Sequence, residues 1–164
     1  MREIKFRAWD DIKDCMYFCG EEEDIVFSLE SQGILAIDLS EDDDDWVELH
    51  HLQYMQYTGL KDKNGVEIYE GDILKRTFID DLVVCAKLSE GVYKTECGIF
   101  EIDDDDLIEC LNVVKYTNGV FHDEDEEDYW GHPLHDFADK NSVLKDAEVI
   151  GNIYEHPHLL EGVK

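Results

Sequence analysis

The chain has 164 residues, 43% of them hydrophobic, with 42 Asp and Glu against 14 Lys and Arg and a formal net charge of −28. That length suits one domain, or one domain with an appendage, and can bury a core without disulfide or metal staples. The charge excludes unassisted attraction to phosphates or anionic lipid, and leaves a basic protein surface or multivalent cations as counterparts.

The opening REIKFRAWD alternates, with Ile4, Phe6 and Ala8 on one face, and CMYFC returns after the polar turn DDIKD, so the chain is expected to begin with a hairpin. The N-terminus lacks an apolar signal core, and no run approaches the ~18 apolar residues of a membrane helix, so a soluble, cytoplasmic protein is expected. IVFSLE, ILAIDL and WVELHHLQYMQ continue the strand pattern, with a break at Gly33. Helix-like spacing is confined to Ser28–Leu39 and to HPHLLEG, where Pro157 begins a short helix. His50-His51 lies in an alternating run that turns one of the two towards the core.

Asn64-Gly65 in KDKNGVEIYEGDILK suits the positive φ angles of a tight hairpin turn, and Asn118-Gly119 stands between VVKY and VFHD. LVVCAKL, VYKTECGIFEI, LIECLNVVKY and EVIGNIYEH complete a set of roughly nine to eleven strands. The expected fold is mainly β: a small barrel or a strongly bent antiparallel sheet with acidic loop excursions and little helix. It forms a single domain over 1–164, with an N-terminal β part (1–45) and a C-terminal barrel-like part (46–164). Cys15, Cys19, Cys85, Cys97 and Cys110 are odd in number and without C-x-x-C spacing, as expected of buried, reduced side chains.

Four acidic runs dominate the charge. They are Glu21, Glu22, Glu23 and Asp24; Glu41, Asp42, Asp43, Asp44 and Asp45; Asp103, Asp104, Asp105 and Asp106; and Asp123, Glu124, Asp125, Glu126, Glu127 and Asp128. Consecutive carboxylates cannot all face a core, so each run belongs in a loop, at an exposed edge or at a tip. Trp46 follows the second run and Tyr129-Trp130 the fourth, either as anchors to the core or as apolar contacts beside an acid patch. The fourth run fails as a calcium loop, because counting from Asp123 puts Asp128 where glycine is needed and Leu134 where glutamate is needed. His122, His132 and His135 lack zinc-ligand spacing. No P-loop, dinucleotide turn or G-x-S-x-G occurs. No catalytic residue, cofactor or metal is therefore assigned, and the chain is expected not to be an enzyme.

Three segments, REIKFRAWD, MQYTGLKDKNGVEIYEGDIL (Met55–Leu74) and EVIGNIYEHPHLLE (Glu148–Glu161), resemble the YopX family of phage and prophage proteins. The resemblance implies a mainly β fold with a barrel-like part, a phage or prophage origin and hence a host-cell cytoplasm, and it carries no catalytic residues. Arg2–Trp9, Tyr54–Lys75 and Ala147–Glu161 together carry a charge of −2, so the remaining 119 residues hold −26. Acidity thus looks separate from the scaffold, and function is expected to follow it. The expected function is a phage-encoded, non-enzymatic inhibitor that mimics DNA: 28 charges match about 14 base pairs of duplex. Its partner would be the basic nucleic-acid-binding surface of a host defence nuclease, of restriction or CRISPR type, or of another DNA-binding protein, bound through the four runs with Trp46, Tyr129 and Trp130. Direct nucleic-acid or membrane binding is not expected. The alternative is an accessory structural or regulatory protein that forms homo-oligomers and binds a partner unrelated to nucleic acid.

Overall fold

The computed structural model describes residues 4–31, 33–40, 46–79, 82–89, 92–95, 98–101, 103, 106–117, 120–124 and 132–161. The chain is mainly β, with three antiparallel sheets and no α-helix among the described residues. It divides into two compact units, 1–57 and 58–164.

In the first unit β1 (Phe6–Asp10) pairs with β2 (Cys15–Phe18) on one side and with the start of β6 (Gln53–Lys61) on the other. The expected opening hairpin is present. Its turn is fastened by Asp10, whose Oδ1 accepts the N–H groups of Ile12 and Lys13 at 2.9 Å each, the local carboxylate-to-backbone pattern that makes Asp a turn residue. Ile4, however, is 70% exposed, because the strand begins only at Phe6.

A three-stranded sheet follows: β3 (Ile25–Glu30), β4 (Gly33–Asp38) and the two-residue β5 (Val47–Glu48). Ser28–Leu39 therefore lies in a β-hairpin and its helix-like spacing is not realised. Ile25, Phe27, Ala36 and Leu49 share a face and pack with Ala8, Leu52, Tyr17 and Tyr54 in the first unit's core. The Ala36 N–H donates to the Tyr54 hydroxyl at 2.8 Å, and the Tyr54 ring meets Phe27 edge-on.

In the second unit the end of β6 is followed by β7 (Glu67–Tyr69). The main sheet curls into a half-barrel. β8 (Asp72–Ile79) pairs along one edge with β12 (Ile108–Thr117), which continues to β13 (Val120–Glu124) and β14 (His132–Pro133). Its other edge is shared: β15 (Ala147–Asn152) takes residues 72–76, and β9 (Leu82–Ser89) joins at 78–79. From β9 the sheet extends through β10 (Val92–Thr95) to β11 (Gly98–Glu101). Leu60, Ile68, Leu74, Val114, Phe121, Leu134, Leu144 and Ala147 fill the core. Each large aliphatic side chain among them contributes about 1.5–3 kcal/mol by leaving water.

The Asn64-Gly65 turn has a mixed character. Gly65 has φ +85° whereas Asn64 does not have positive φ, and the Gly65 N–H bonds the Asp62 carbonyl at 3.0 Å. This is a type I turn closed by a left-handed glycine, which needs the positive angle once rather than twice. Asn118-Gly119 lies outside the described residues, but Thr117 pairs with Val120, so two residues connect β12 to β13. Short 3-10 turns occur at Leu134–Phe137 and at Pro157–Leu159, the second with Pro157 in its first turn as expected.

Candidate functional site

The described members of the acidic runs fall at or next to strand ends. The first precedes β3, where Glu21, Glu23 and Asp24 are exposed and Glu22 bends back to accept the Phe18 N–H. The Asp24 carbonyl accepts the Leu39 N–H at 2.7 Å, and Ser40 is the last described residue before Glu41. Residues 41–45 themselves lie outside the described residues. In the second unit Asp103 and Asp106 are exposed between β11 and β12, joined by a bond from the Asp106 N–H to the Asp103 carbonyl. Asp104 and Asp105 are outside the described residues, as are 125–128, Tyr129 and Trp130. Asp123 and Glu124 end β13, with Val114 and Val113 as their backbone partners.

Trp46 is 58% exposed, so it does not anchor the chain to the core. Cys19 is exposed and Cys15 and Cys110 are half-buried, against the expectation of buried thiols; Cys15 opens β2 and Cys19 follows its end. His50 and His51 occupy a turn after β5 rather than a strand. His50 is exposed beside Glu48, and His51 approaches Asp10 at 3.0 Å.

Several cations are held by the chain's own acids. Lys13 pairs with Asp38 at 3.1 Å, Lys63 with Glu148 at 2.8 Å, Lys75 with Glu109, Lys145 with Asp139 at 3.3 Å, and Arg76 with Asp146 at 3.1 Å. No described ion pair reaches Glu21, Glu23, Asp24, Asp103 or Asp106. Apart from the buried Arg76–Asp146 pair, these contacts add little stability, but they remove positive charge from the surface that a partner meets. Asp38 is held below the usual carboxylate range by the Ser40 hydroxyl and N–H, with Lys13 adding to them.

Asp10, Asp11 and His51 each offer a possible ligand atom within 4.8 Å of one another. Asp10 Oδ1 is already committed to two backbone N–H groups and to the His51 ring. Burial pushes the Asp10 carboxyl up, but the N–H groups of Lys13 and Ile12 and the His51 contact outweigh it and hold the group below its usual range. A carboxyl depressed in the folded state stabilises above its unfolded pKa and loses that contribution as pH falls through the folded value. Asp10→Asn is therefore expected to lower stability by about 1–3 kcal/mol at pH 7. Urea titrations from pH 7 to 3 should show the gap to the parent closing as pH falls; a gap that widens would refute the assignment.

Sequence reasoning missed the buried acids of the second unit. Asp62 is fully buried, and its Oδ1 accepts the N–H groups of Asn64 and Val66 at 2.8 Å each while its Oδ2 accepts that of Val149 at 3.0 Å. Asp72, also fully buried, accepts the Tyr69 N–H at 2.7 Å. Gly71, at φ +81°, donates to the Val114 carbonyl and accepts from the Ile153 N–H. Buried Asn152 accepts the N–H groups of Tyr154 and Glu155 through Oδ1. Burial raises the Glu70 carboxyl, and burial together with the Glu70 charge raises the Tyr154 phenol. The central and closing segments that looked family-specific thus meet in one hydrogen-bonded junction. The legible signal was an isolated Asp next to a Gly-containing turn between apolar strands.

A family model described as YopX protein matches residues 5–161. The solved structure of protein yopX from Bacillus subtilis is similar over 98% of this chain and 99% of that one, with 21% identity and a TM-score of 0.55, a likeness of fold. Protein EF1440 from Enterococcus faecalis has 25% identity over 98% of this chain and 99% of its own, with a TM-score of 0.46. No curated protein matches. No helix among the described residues is long and apolar enough to cross a membrane.

Proposed function

The chain belongs to the YopX family, and from that premise we propose that it is a phage-encoded, non-enzymatic inhibitor whose acidic surface occupies the basic nucleic-acid-binding channel of a host protein. The observation that carries the reading is the partition of charge. Lys13, Lys63, Lys75, Arg76 and Lys145 are engaged by acids of the chain itself, while Glu21, Glu23 and Asp24 of the first run and Asp103 and Asp106 of the third stand exposed without such partners. A fixed array of unneutralised carboxylates draws Lys/Arg-lined channels rapidly, with a strong dependence on salt. The buried acids Asp10, Asp62 and Asp72 serve the scaffold, so binding and folding use different carboxylates.

The test is capture of host DNA-binding proteins on the immobilised chain, with duplex DNA as competitor. Affinity is expected to fall at least about 100-fold between 50 and 500 mM salt, and duplex DNA should displace the partner. Replacing Glu21, Glu23, Asp24, Asp103 and Asp106 by their amides should weaken capture while leaving the unfolding midpoint within about 0.5 kcal/mol of the parent's stability. A partner indifferent to DNA and salt would refute the reading. An observation favouring the alternative is that Val26, Leu29, Trp46 and Val47 are exposed on or beside the first unit's three-stranded sheet, a composition that suits docking through apolar contact. Light scattering that shows a stable oligomer, with activity unchanged in the amide variants, would favour that second role.

A further inference from the structure

The three-stranded sheet has a notch. β4 runs from Gly33 to Asp38, but β5 pairs with it only at Ile37 and Asp38, and the last bond between them joins the Leu49 N–H to the Ala36 carbonyl at 2.8 Å. His50 and His51 then turn away. The Ala36 N–H, which a longer β5 would have engaged, donates to the Tyr54 hydroxyl instead.

The alternation of an antiparallel ladder decides where the neighbouring backbone points. The bond from the Leu39 N–H to the Asp24 carbonyl makes those two a hydrogen-bonded pair, so Val26–Ile37, Ser28–Leu35 and Glu30–Gly33 are the bonded pairs further along. The N–H and C=O of Ile34 therefore face away from β3, into the notch, and no hydrogen bond among the described residues reaches them. The notch opens on a groove of about 430 Å³ lined by Glu30, Gly33, Ile34, Leu35, Glu48 and His50. That volume falls within the range of clefts that hold compact ligands.

We infer that this notch is a strand-addition site for an extended, Lys- or Arg-bearing segment of a partner protein. The segment continues the line of β5: it bonds the Ile34 backbone, lies against Leu35 and presents a cationic side chain to Glu30 or Glu48. Backbone bonds give such sites their affinity and side-chain pockets their selectivity, and a charge-assisted bond to carboxylate is stronger than a neutral one. Charge decides the occupant. Residues 14–60 contain no Lys or Arg, so a strand of this region from a second copy would bring acid against acid. A basic segment meets Glu30 and Glu48 without a competing Lys or Arg in the groove.

This inference deepens the inhibitor reading, and rests on it for the partner's basic character. The test uses the full-length, isotope-labelled protein and a capped hexapeptide of alternating Arg and Val, with citrulline in place of Arg as the control. The Arg peptide is expected to shift the Ile34 and Leu35 amides. The Glu30→Gln/Glu48→Gln variant should bind it at least tenfold more weakly, as should the parent bind the citrulline control. An unperturbed Ile34 amide, equal binding by the variant, or Ile34 shifts that follow protein concentration without peptide would each overturn the site, the last in favour of a second copy. Retained amide dispersion in the variant separates lost binding from lost folding. If the peptide seats at Ile34 while duplex DNA fails to displace a captured host protein, the inhibitor reading falls and the notch stands. The reverse pattern overturns the notch alone.

Discussion

Asp62→Ala is expected to lower the unfolding free energy of the second unit by about 2–4 kcal/mol, with little change in the first unit. One carboxylate closes the β6–β7 turn through Asn64 and Val66 and reaches β15 through Val149, 87 residues away in sequence. Its removal orphans three N–H groups, and those that stay buried lose their partner without recovering water. Asp62→Asn should lose less, since a single amide oxygen still serves the turn while the amide nitrogen faces the Val149 donor. Urea midpoints measured for both variants check the order; equal losses would show that the turn bonds contribute nothing and that the whole loss lies in the link to β15.

Arg76→Leu should be of similar severity, about 3–5 kcal/mol, because it strands Asp146 as an unpaired charge inside the half-barrel. Both side chains are buried, and Arg76 Nε lies 3.1 Å from Asp146 Oδ2. The two are close enough for an ion pair but misaligned for a hydrogen bond. Arg76 sits on β8 between Cys110 and Ala147 of the neighbouring strands, so its charge points along a row that is otherwise small and apolar. Arg76→Leu combined with Asp146→Leu should recover most of the loss, as buried pairs replaced whole often do. A double variant no better than the single would place the importance of Arg76 in its other contacts.

How far the sequence could be read depends on where each signal comes from. Alternation in REIKFRAWD and LIECLNVVKY exposed their strand character because successive strand side chains turn to opposite faces of a sheet. Ser28–Leu39 misled because Leu29 and Ala36 stand seven apart and Leu35 and Leu39 four apart, as on a helix face, while the choice between helix and hairpin was made by Gly33 at φ +140° and by the packing of Ala36 against the first unit's core. Ile4 fell outside its strand because pairing with β6 starts at Phe6. That the acidic runs belong in loops, at exposed edges or at tips could be read, since consecutive charges forbid burial. Asp10, Asp62 and Asp72 could not be told apart from them by composition, because what distinguishes them is a set of backbone donors assembled by the fold. The Ile34 notch depends on where β5 stops, a property of tertiary geometry that leaves no mark in local pattern.

The shared edge of β8 has a consequence for how the second unit is made. Residues 72–76 pair with β15, whose residues emerge from the ribosome some 75 positions later. Until then β8 presents an open edge, and the closure that ends it carries the entropy of a long loop and the slow rate typical of distant strand pairing. A nascent chain stopped short of Ala147 should therefore expose that edge to other strands. Arrest of synthesis at residue 146 is expected to yield chains that aggregate or remain bound to chaperones, whereas the chain extended through β15 is released folded.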